Sequence, residues 1–243
     1  MKTVIITQAR MASTRLPGKV MREVMGKPLL AYHLERIQRA KYADEILVAT
    51  TVNPEDDVIT QLAASHGVRC YRGSAEDVLA RYREAARETG ADIMVRVTAD
   101  CPLIDPEIID KVIRYYLDHR HLYDYVSNTL KRTYPRGMDT EVFPRKVLEE
   151  IHLKAHESAD REHVTCYICR HPEEYRLGGV EHSEDLSHHR WTVDEEDDFK
   201  LIKLLIEEIY PMKPEFTMQD CLEVLKRHPD WMTINAHVKH KEI

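Results

Sequence analysis

Gln8-Ala9-Arg10-Met11-Ala12-Ser13-Thr14-Arg15-Leu16-Pro17-Gly18-Lys19 follows directly on the apolar run Val4-Ile5-Ile6. An unbroken apolar run reads as a strand buried on both faces, and so as part of a parallel sheet. Three cations, Arg10, Arg15 and Lys19, then share a short loop with hydroxyls, a proline and a glycine, and the next helical pattern starts at Pro28. Strand, cationic loop, helix is the arrangement in which an open α/β sheet holds a polyphosphate outside the carboxyl end of a strand. A single glycine cannot supply the backbone cradle of a Walker loop or a dinucleotide fingerprint. Side chains must therefore do the neutralising: arginine grips phosphate oxygens in pairs, and lysine acts as a point charge. Charge alone leaves open that the loop is merely solvated surface.

Outward from that loop, short apolar runs alternate with helical patterns. Strands are expected at Thr3–Thr7, Glu45–Ala49, Val68–Tyr71 and Asp92–Val97, and helices at Pro28–Ala40, Glu55–Ser65 and Ala75–Glu88. Gly67 and Gly90 stand where helices should stop. This alternation predicts a mostly parallel sheet with helices on both faces. Beyond Asp105-Pro106, which opens a helix to about Leu117, the pattern loosens. Strands are expected at Tyr123–Ser127, Met138–Phe143 and Trp191–Val193, and helices at Arg145–Leu153, Ser158–Arg170, Glu195–Ile209 and Thr217–Arg227. No linker separates two units, so a single domain over 1–243 is expected.

With 35 basic and 42 acidic side chains the chain carries a formal charge of −7, which argues against general binding of nucleic acid or anionic membrane. No apolar run approaches the ~20 residues of a membrane span. The start enters a strand without a secretory apolar region, and five cysteines in this setting suggest reduced thiols and a cytoplasmic address.

Two further stretches can carry chemistry. In Val95-Arg96-Val97-Thr98-Ala99-Asp100-Cys101-Pro102, a buried strand ends in a lone carboxylate, well placed to hold Mg²⁺ against bound phosphates. In Trp191-Thr192-Val193-Asp194-Glu195-Glu196-Asp197-Asp198, Asp194 again ends an apolar run and begins a helix. Both aspartates could instead be turn or helix caps, and sequence does not establish that they meet. Tyr134-Pro135-Arg136-Gly137-Met138-Asp139-Thr140-Glu141 reads either as a solvated hairpin or as a charged rim for a polyhydroxylated substrate. Asp160-Arg161-Glu162-His163 reads as surface pairing or a substrate contact. Cys166 and Cys169 lack the second ligand pair of a zinc site and read as structural. Cys101 has no evident histidine base for a nucleophilic role.

Arg10…Ser13-Thr14-Arg15-Leu16-Pro17-Gly18-Lys19 resembles the signature loop of the sugar-acid cytidylyltransferases, the group of the CMP-KDO and CMP-sialate synthetases. The closer resemblance is to the cytidylyltransferase-like spore-coat polysaccharide biosynthesis protein F family. It rests on the Gln8-Ala9-Arg10-Met11 start, Arg72–Tyr82, Thr98–Pro102, Tyr134–Phe143 and Arg161–Thr165, and covers nearly the whole chain. The resemblance implies a Rossmann-like nucleotidyltransferase fold with a small β-rich insertion, and sugar-binding and dimerisation elements in about 121–190. It implies Gln8, Ala9, Arg10, Ser13, Arg72 and Ser74 on the nucleotide, Arg15 and Lys19 as catalytic cations, and Asp100 and Asp194 as Mg²⁺ ligands. Arg136, Asp139, Glu141 and His163 fall on the sugar.

The activity implied is transfer from CTP to a 2-keto sugar acid (nonulosonic or KDO-like), giving a CMP-sugar and pyrophosphate for surface or spore-coat polysaccharide, by a homodimer. Gln8 departs from the Pro or Leu of the KDO and sialate enzymes, and the Tyr134–Phe143 element differs from their sugar segments. The alternatives are a nucleotidyltransferase using another NTP or a sugar phosphate, and a non-catalytic nucleotide-sugar-binding protein on the same fold. A glycosyltransferase lacks support, since no D-x-D motif ends a strand.

Overall fold

A computed structural model describes residues 1–239; the last four residues of the expected domain lie outside the described ones. The run Thr3–Gln8 forms β1, whose Val4 and Ile6 face one side of the sheet and Ile5 the other, as the two-residue period of a strand requires. A two-stranded antiparallel ribbon, β2 (Glu23–Val24) and β3 (Lys27–Pro28), leads into α1 (Leu29–Ile37). Then come β4 (Glu45–Thr51), α2 (Asp57–Ser65), β5 (Arg69–Gly73), α3 (Val78–Thr89) and β6 (Ile93–Thr98). The helix ends follow local chemistry. The Asp77 side chain accepts from Ala80 N at 2.8 Å to start α3, and Gly90 at φ 65° stops it in the left-handed conformation.

After α4 (Pro106–His119), capped by Asp105, the chain forms β7 (Tyr125–Ser127), β8 (Glu141–Pro144), α5 (Arg145–Lys154), α6 (Ser158–Glu162), α7 (Cys166–Arg170) and β9 (Leu177–Gly179). It closes with α8 (Glu196–Ile209) and α9 (Met218–Arg227).

The seven-stranded sheet has the order β5-β4-β1-β6-β8-β7-β9. It is parallel from β5 to β6; β8 runs antiparallel to both β6 and β7, and β9 parallel to β7. Residues of α1, α2 and α4 pack on one face around Ile5, Val48 and Val95. Those of α3 and α5 pack on the other around Val4, Leu47 and Met94. The strand order reverses between β1 and β6, where Gln8 pairs in register with Thr98. The loops leaving these strands therefore emerge side by side, at the crevice where open α/β sheets bind ligands.

Three expectations are corrected. The helix expected at Ser158–Arg170 breaks in two, because His163 leaves helical geometry (φ −108°, ψ 77°) while Val164 is buried and the Thr165 hydroxyl donates to Glu141 Oε1 at 2.9 Å. Tertiary contacts thus end the helix at His163-Val164-Thr165-Cys166, a run of weak helix formers. Trp191–Val193 is not a strand: it is held by a lone bridge between Arg136 and Arg190 and by Val193 N donating to Asp100 O at 2.8 Å. The strand expected from Met138 starts only at Glu141, since Asn128 takes the Met138 carbonyl (2.7 Å) and the Thr140 amide (2.9 Å) for itself.

Candidate active site

The loop after β1 is set by its own backbone and by one buried acid. Met11 O accepts from both Ser13 N and Gly18 N at 2.9 Å, closing the loop at its neck, and Gly18 turns the chain at φ 67°. Asp56, fully buried, accepts from Met11 N at 2.7 Å and also takes the Thr51 amide and hydroxyl. The loop is thereby tied to the end of β4, and Lys19 is aimed back across the sheet edge.

Lys19 Nζ donates to Asp100 Oδ2 at 2.7 Å and to Asp194 Oδ1 at 2.9 Å, and Arg15 reaches Asp194 Oδ1 at 3.0 Å. Acids 94 residues apart in sequence thus converge on cations of the first loop. Burial works against the Lys19 ammonium, but the two carboxylates outweigh it and raise its pKa. Burial likewise opposes the Asp100 carboxylate. Lys19, with help from Thr98 and Cys101, holds that group well below the ordinary carboxylate range. Asp100 is therefore ionised throughout the neutral range. Cys101 is driven the other way: burial and then Asp100 and Asp139 push its thiol well up, so it stays protonated and is no nucleophile.

The cleft above this cluster has a volume of ≈ 480 Å³. One wall comes from the loops after β1 and β6 and from Asp194, and it presents Gln8, Ala9, Arg10, Ser13, Arg15, Lys19 and Asp100. The other comes from residues 129–141 and from α6 and α7, and it presents Arg132, Arg136, Asp139, Glu141, His163, Cys166 and Cys169. Arg132 forks onto Asp139 (2.6 and 2.8 Å). Arg96 pairs with Glu141 Oε2 at 2.5 Å, while Glu141 Oε1 accepts from Tyr125 (2.8 Å) and Thr165 (2.9 Å). Arg136 lines the cleft with no hydrogen bond or ion pair to its guanidinium among the described residues. Burial, then the neighbouring Arg132, lowers its pKa.

Two expected nucleotide contacts do not line this cleft. Arg72 donates to Thr51 O (2.9 Å) and Asn53 O (2.7 Å) and pairs with Asp57, clamping the turn after β4. Ser74 serves its own turn, its hydroxyl accepting from Asp77 N at 3.0 Å. Sequence reasoning missed Arg132, Arg96 and Asp56, whose partners come from tertiary structure, and also Arg190. The last had a local signal, since Arg190, Asp194 and Asp198 recur at helical spacing, although the first two precede α8.

Two hard carboxylate oxygens sharing one cation is a donor set that fits Mg²⁺, which takes one or two protein carboxylates and completes its shell with phosphate and water. Among the described residues no group of three or more His, Cys, Asp and Glu could cage a metal alone. Cys166 and Cys169 are free thiols at the cleft, half-buried and exposed, each raised in pKa first by burial.

A crevice at a sheet switch point, with the cations of the first loop set against the paired acids Asp100 and Asp194, is the arrangement of a nucleotidyltransferase. A profile of the cytidylyltransferase family matches residues 4–222, and the chain belongs to that family. It is 32% identical over 237 residues to the spore coat polysaccharide biosynthesis protein SpsF of Bacillus subtilis, covering 95% of this chain and 96% of that one. It is 33% identical over 186 residues to the 3-deoxy-manno-octulosonate cytidylyltransferase of Geobacter metallireducens, covering 69% and 72%. A solved cytidylyltransferase from Leptospira borgpetersenii superposes with a TM-score of 0.92 at 33% identity over the whole of both chains.

Proposed function

We propose that this chain transfers a cytidylyl group from CTP to the hydroxyl of a 2-keto sugar acid, releasing pyrophosphate and giving a CMP-sugar for surface polysaccharide. The observation that carries the reading is Lys19 bridging Asp100 and Asp194 on the floor of the cleft. Gln8, Ala9, Arg10 and Ser13 line the nucleotide side. Arg15 and Lys19 neutralise the triphosphate as charge shifts to the departing pyrophosphate. Positioning and electrostatics are the main protein contribution to such transfers. Asp100 and Asp194 would hold Mg²⁺, which when bound supplies further neutralisation of the phosphates. Arg136 offers an unmatched cation to the acceptor's carboxylate, and Asp139, Glu141 and His163 face its hydroxyls. Arg72 and Ser74 have no part in this reading.

The reading includes a homodimer in the cytoplasm. It is supported by the family resemblance; among the described residues no helix is long and apolar enough to cross a membrane. The test is pyrophosphate release from CTP and Mg²⁺ with a panel of 2-keto sugar acids. Folded protein that binds CTP yet releases no pyrophosphate with any acid overturns the activity. Thermal shifts with CTP, UTP, GTP and ATP decide the base, because ligands of the native state raise its melting point.

A further inference from the structure

We propose that Arg190 is a positioning residue that presents Asp194 to the metal, in a bracket completed by Asp198 and Asn235; this rests on the function proposed above. Arg190 Nη2 donates to Asp194 Oδ2 at 2.8 Å, leaving Oδ1 turned toward Lys19 and Arg15. The same guanidinium forks onto Asp198 through Nε (2.9 Å) and Nη2 (3.1 Å). Asp198 Oδ2 in turn accepts from the backbone amides of Asp194 (3.0 Å) and Glu195 (3.1 Å). One Arg–Asp pair therefore fixes both the main chain and the side chain of residue 194. Asn235, far along the chain, locks the pair from behind: its Nδ2 donates to Arg190 O at 2.8 Å and to Asp198 Oδ1 at 2.9 Å.

Charge decides what this bracket can do. An isolated arginine beside a metal-binding carboxylate would repel the incoming cation. Here Arg190 is matched by Asp198, which is fully buried, so the pair adds little net field and its effect is orientation. Capping of α8 does not need the arginine, because Glu195 and Asp198 already form a reciprocal capping box. A buried ion pair is weak evidence for stability by itself. Partners that orient metal ligands typically change metal affinity 10–100-fold.

The experiment uses the full chain and Mn²⁺ alone as the probe, counted by the electron paramagnetic resonance signal of the free ion, with and without CTP. Arg190→Met is combined with Asp198→Asn so that no buried charge is orphaned, and Asn235→Ala is tested separately. The expected result for the double variant is Mn²⁺ binding about 10–100-fold weaker in the presence of CTP, with metal-free CTP affinity within about threefold of the parent. Asn235→Ala should weaken Mn²⁺ binding in the same direction by a smaller factor. Mn²⁺ affinity unchanged in a folded double variant overturns the inference, and so does an equal fall in metal-free CTP binding, which marks a merely structural role. If the double variant does not fold, unchanged Mn²⁺ binding in Asn235→Ala overturns it instead. Parent protein that takes up no Mn²⁺ with CTP present defeats the proposed function itself, a result distinct from the others.

Discussion

On the wall of the cleft that follows β1 and β6, cations and acids are matched in tight groups: Lys19 sits on Asp100 and Asp194, and Arg15 on Asp194. On the opposite wall Arg132 takes Asp139 and Arg96 takes Glu141, but Arg136 is left with no partner among the described residues. The first wall is assembled from the loops leaving β1 and β6, whose places the parallel sheet dictates, with Asp194 held beside them by the backbone bond from Val193 to Asp100. The second is assembled from the segment leading into β8 and two short helices, tied to the sheet through Glu141, which pairs with Arg96 of β6 and accepts from Thr165. On the function proposed above, the first wall serves any nucleotidyl transfer and the second is shaped for one acceptor.

The hardest blow to this contrast is struck on the first wall. Lys19→Met and Asp100→Asn should each lower turnover by ~10²–10³, the typical loss when one preorganised charge is removed from a transition state. The loss should be the same with every acceptor that is turned over. Steady-state rates with two sugar acids check this, and a loss that depends on the acceptor would erase the distinction between the walls.

Glu141→Ala tests the second wall as structure. It strands the half-buried Arg96 and removes the acceptor of Tyr125 and Thr165. Breaking a buried pair on one side costs about 3–5 kcal/mol, so urea unfolding should show a stability loss of that order. Glu141→Gln, which keeps an acceptor, should lose less. A variant as stable as the parent would show that the wall does not depend on this pair.

Acid should loosen the first wall from beneath. His33 is fully buried; its Nδ1 lies 2.9 Å from Cys101 O, and its Nε2 2.9 Å from the Thr7 hydroxyl. The carbonyl can only accept, so Nδ1 carries the proton and Nε2 accepts from Thr7. This ties the end of β1 to the loop holding Asp100. Burial pushes the His33 pKa down from 6.5 to about 4. The unfolded chain therefore takes up the proton first. The contribution is intact above about pH 6.5 and is lost as pH falls toward 4, roughly 2 kcal/mol by pH 5. His189, lowered to about 4 by burial and then by His188, acts over the same window. His33→Gln should therefore flatten the stability profile between pH 7 and 5 only in part; denaturant midpoints across that range measure it, and an unchanged slope would remove His33 from the account.

The same division governs what the sequence discloses. The apolar period of β1, β4 and β6, the stops at Gly67 and Gly90, and the acids ending at Asp100 and Asp194 are local patterns, and the fold follows from them. That Asp100 and Asp194 share Lys19 is not local: it needs the strand order that puts β6 beside β1 and the backbone bond from Val193 to Asp100. The break between α6 and α7 has only a faint local signal, the weak helix formers His163-Val164-Thr165-Cys166 with no Gly or Pro among them; the burial of Val164 and the pull of Glu141 on Thr165 end the helix. Arg72 resembled a nucleotide contact in its motif, yet its carbonyl partners Thr51 and Asn53 belong to the turn after β4; Asn53-Pro54 signals that turn, but not that Arg72, 19 residues on from Asn53, clamps it.

The smallest expected effect is the most diagnostic of the acceptor. Arg136 has its backbone fixed, its amide donating to His189 O (3.0 Å) and its carbonyl accepting from Trp191 N (2.7 Å). Gly137 seals the contact at φ 106°, since any Cβ there would lie 2.7 Å from the Trp191 backbone. The guanidinium is thus presented at a set place with no hydrogen bond or ion pair among the described residues; burial and Arg132 outweigh the pull of Asp139, so its pKa is lowered. A hydrogen bond to a charged group contributes about 1.5–3 kcal/mol, so Arg136→Ala should raise the KM of an anionic acceptor roughly tenfold or more. The KM for CTP and kcat should stay near the parent values. Removal of an unmatched cation should leave the melting temperature unchanged or slightly higher. If instead the KM for CTP rises and that of the acid does not, Arg136 serves the triphosphate, and its lack of a partner belongs to the first wall rather than the second.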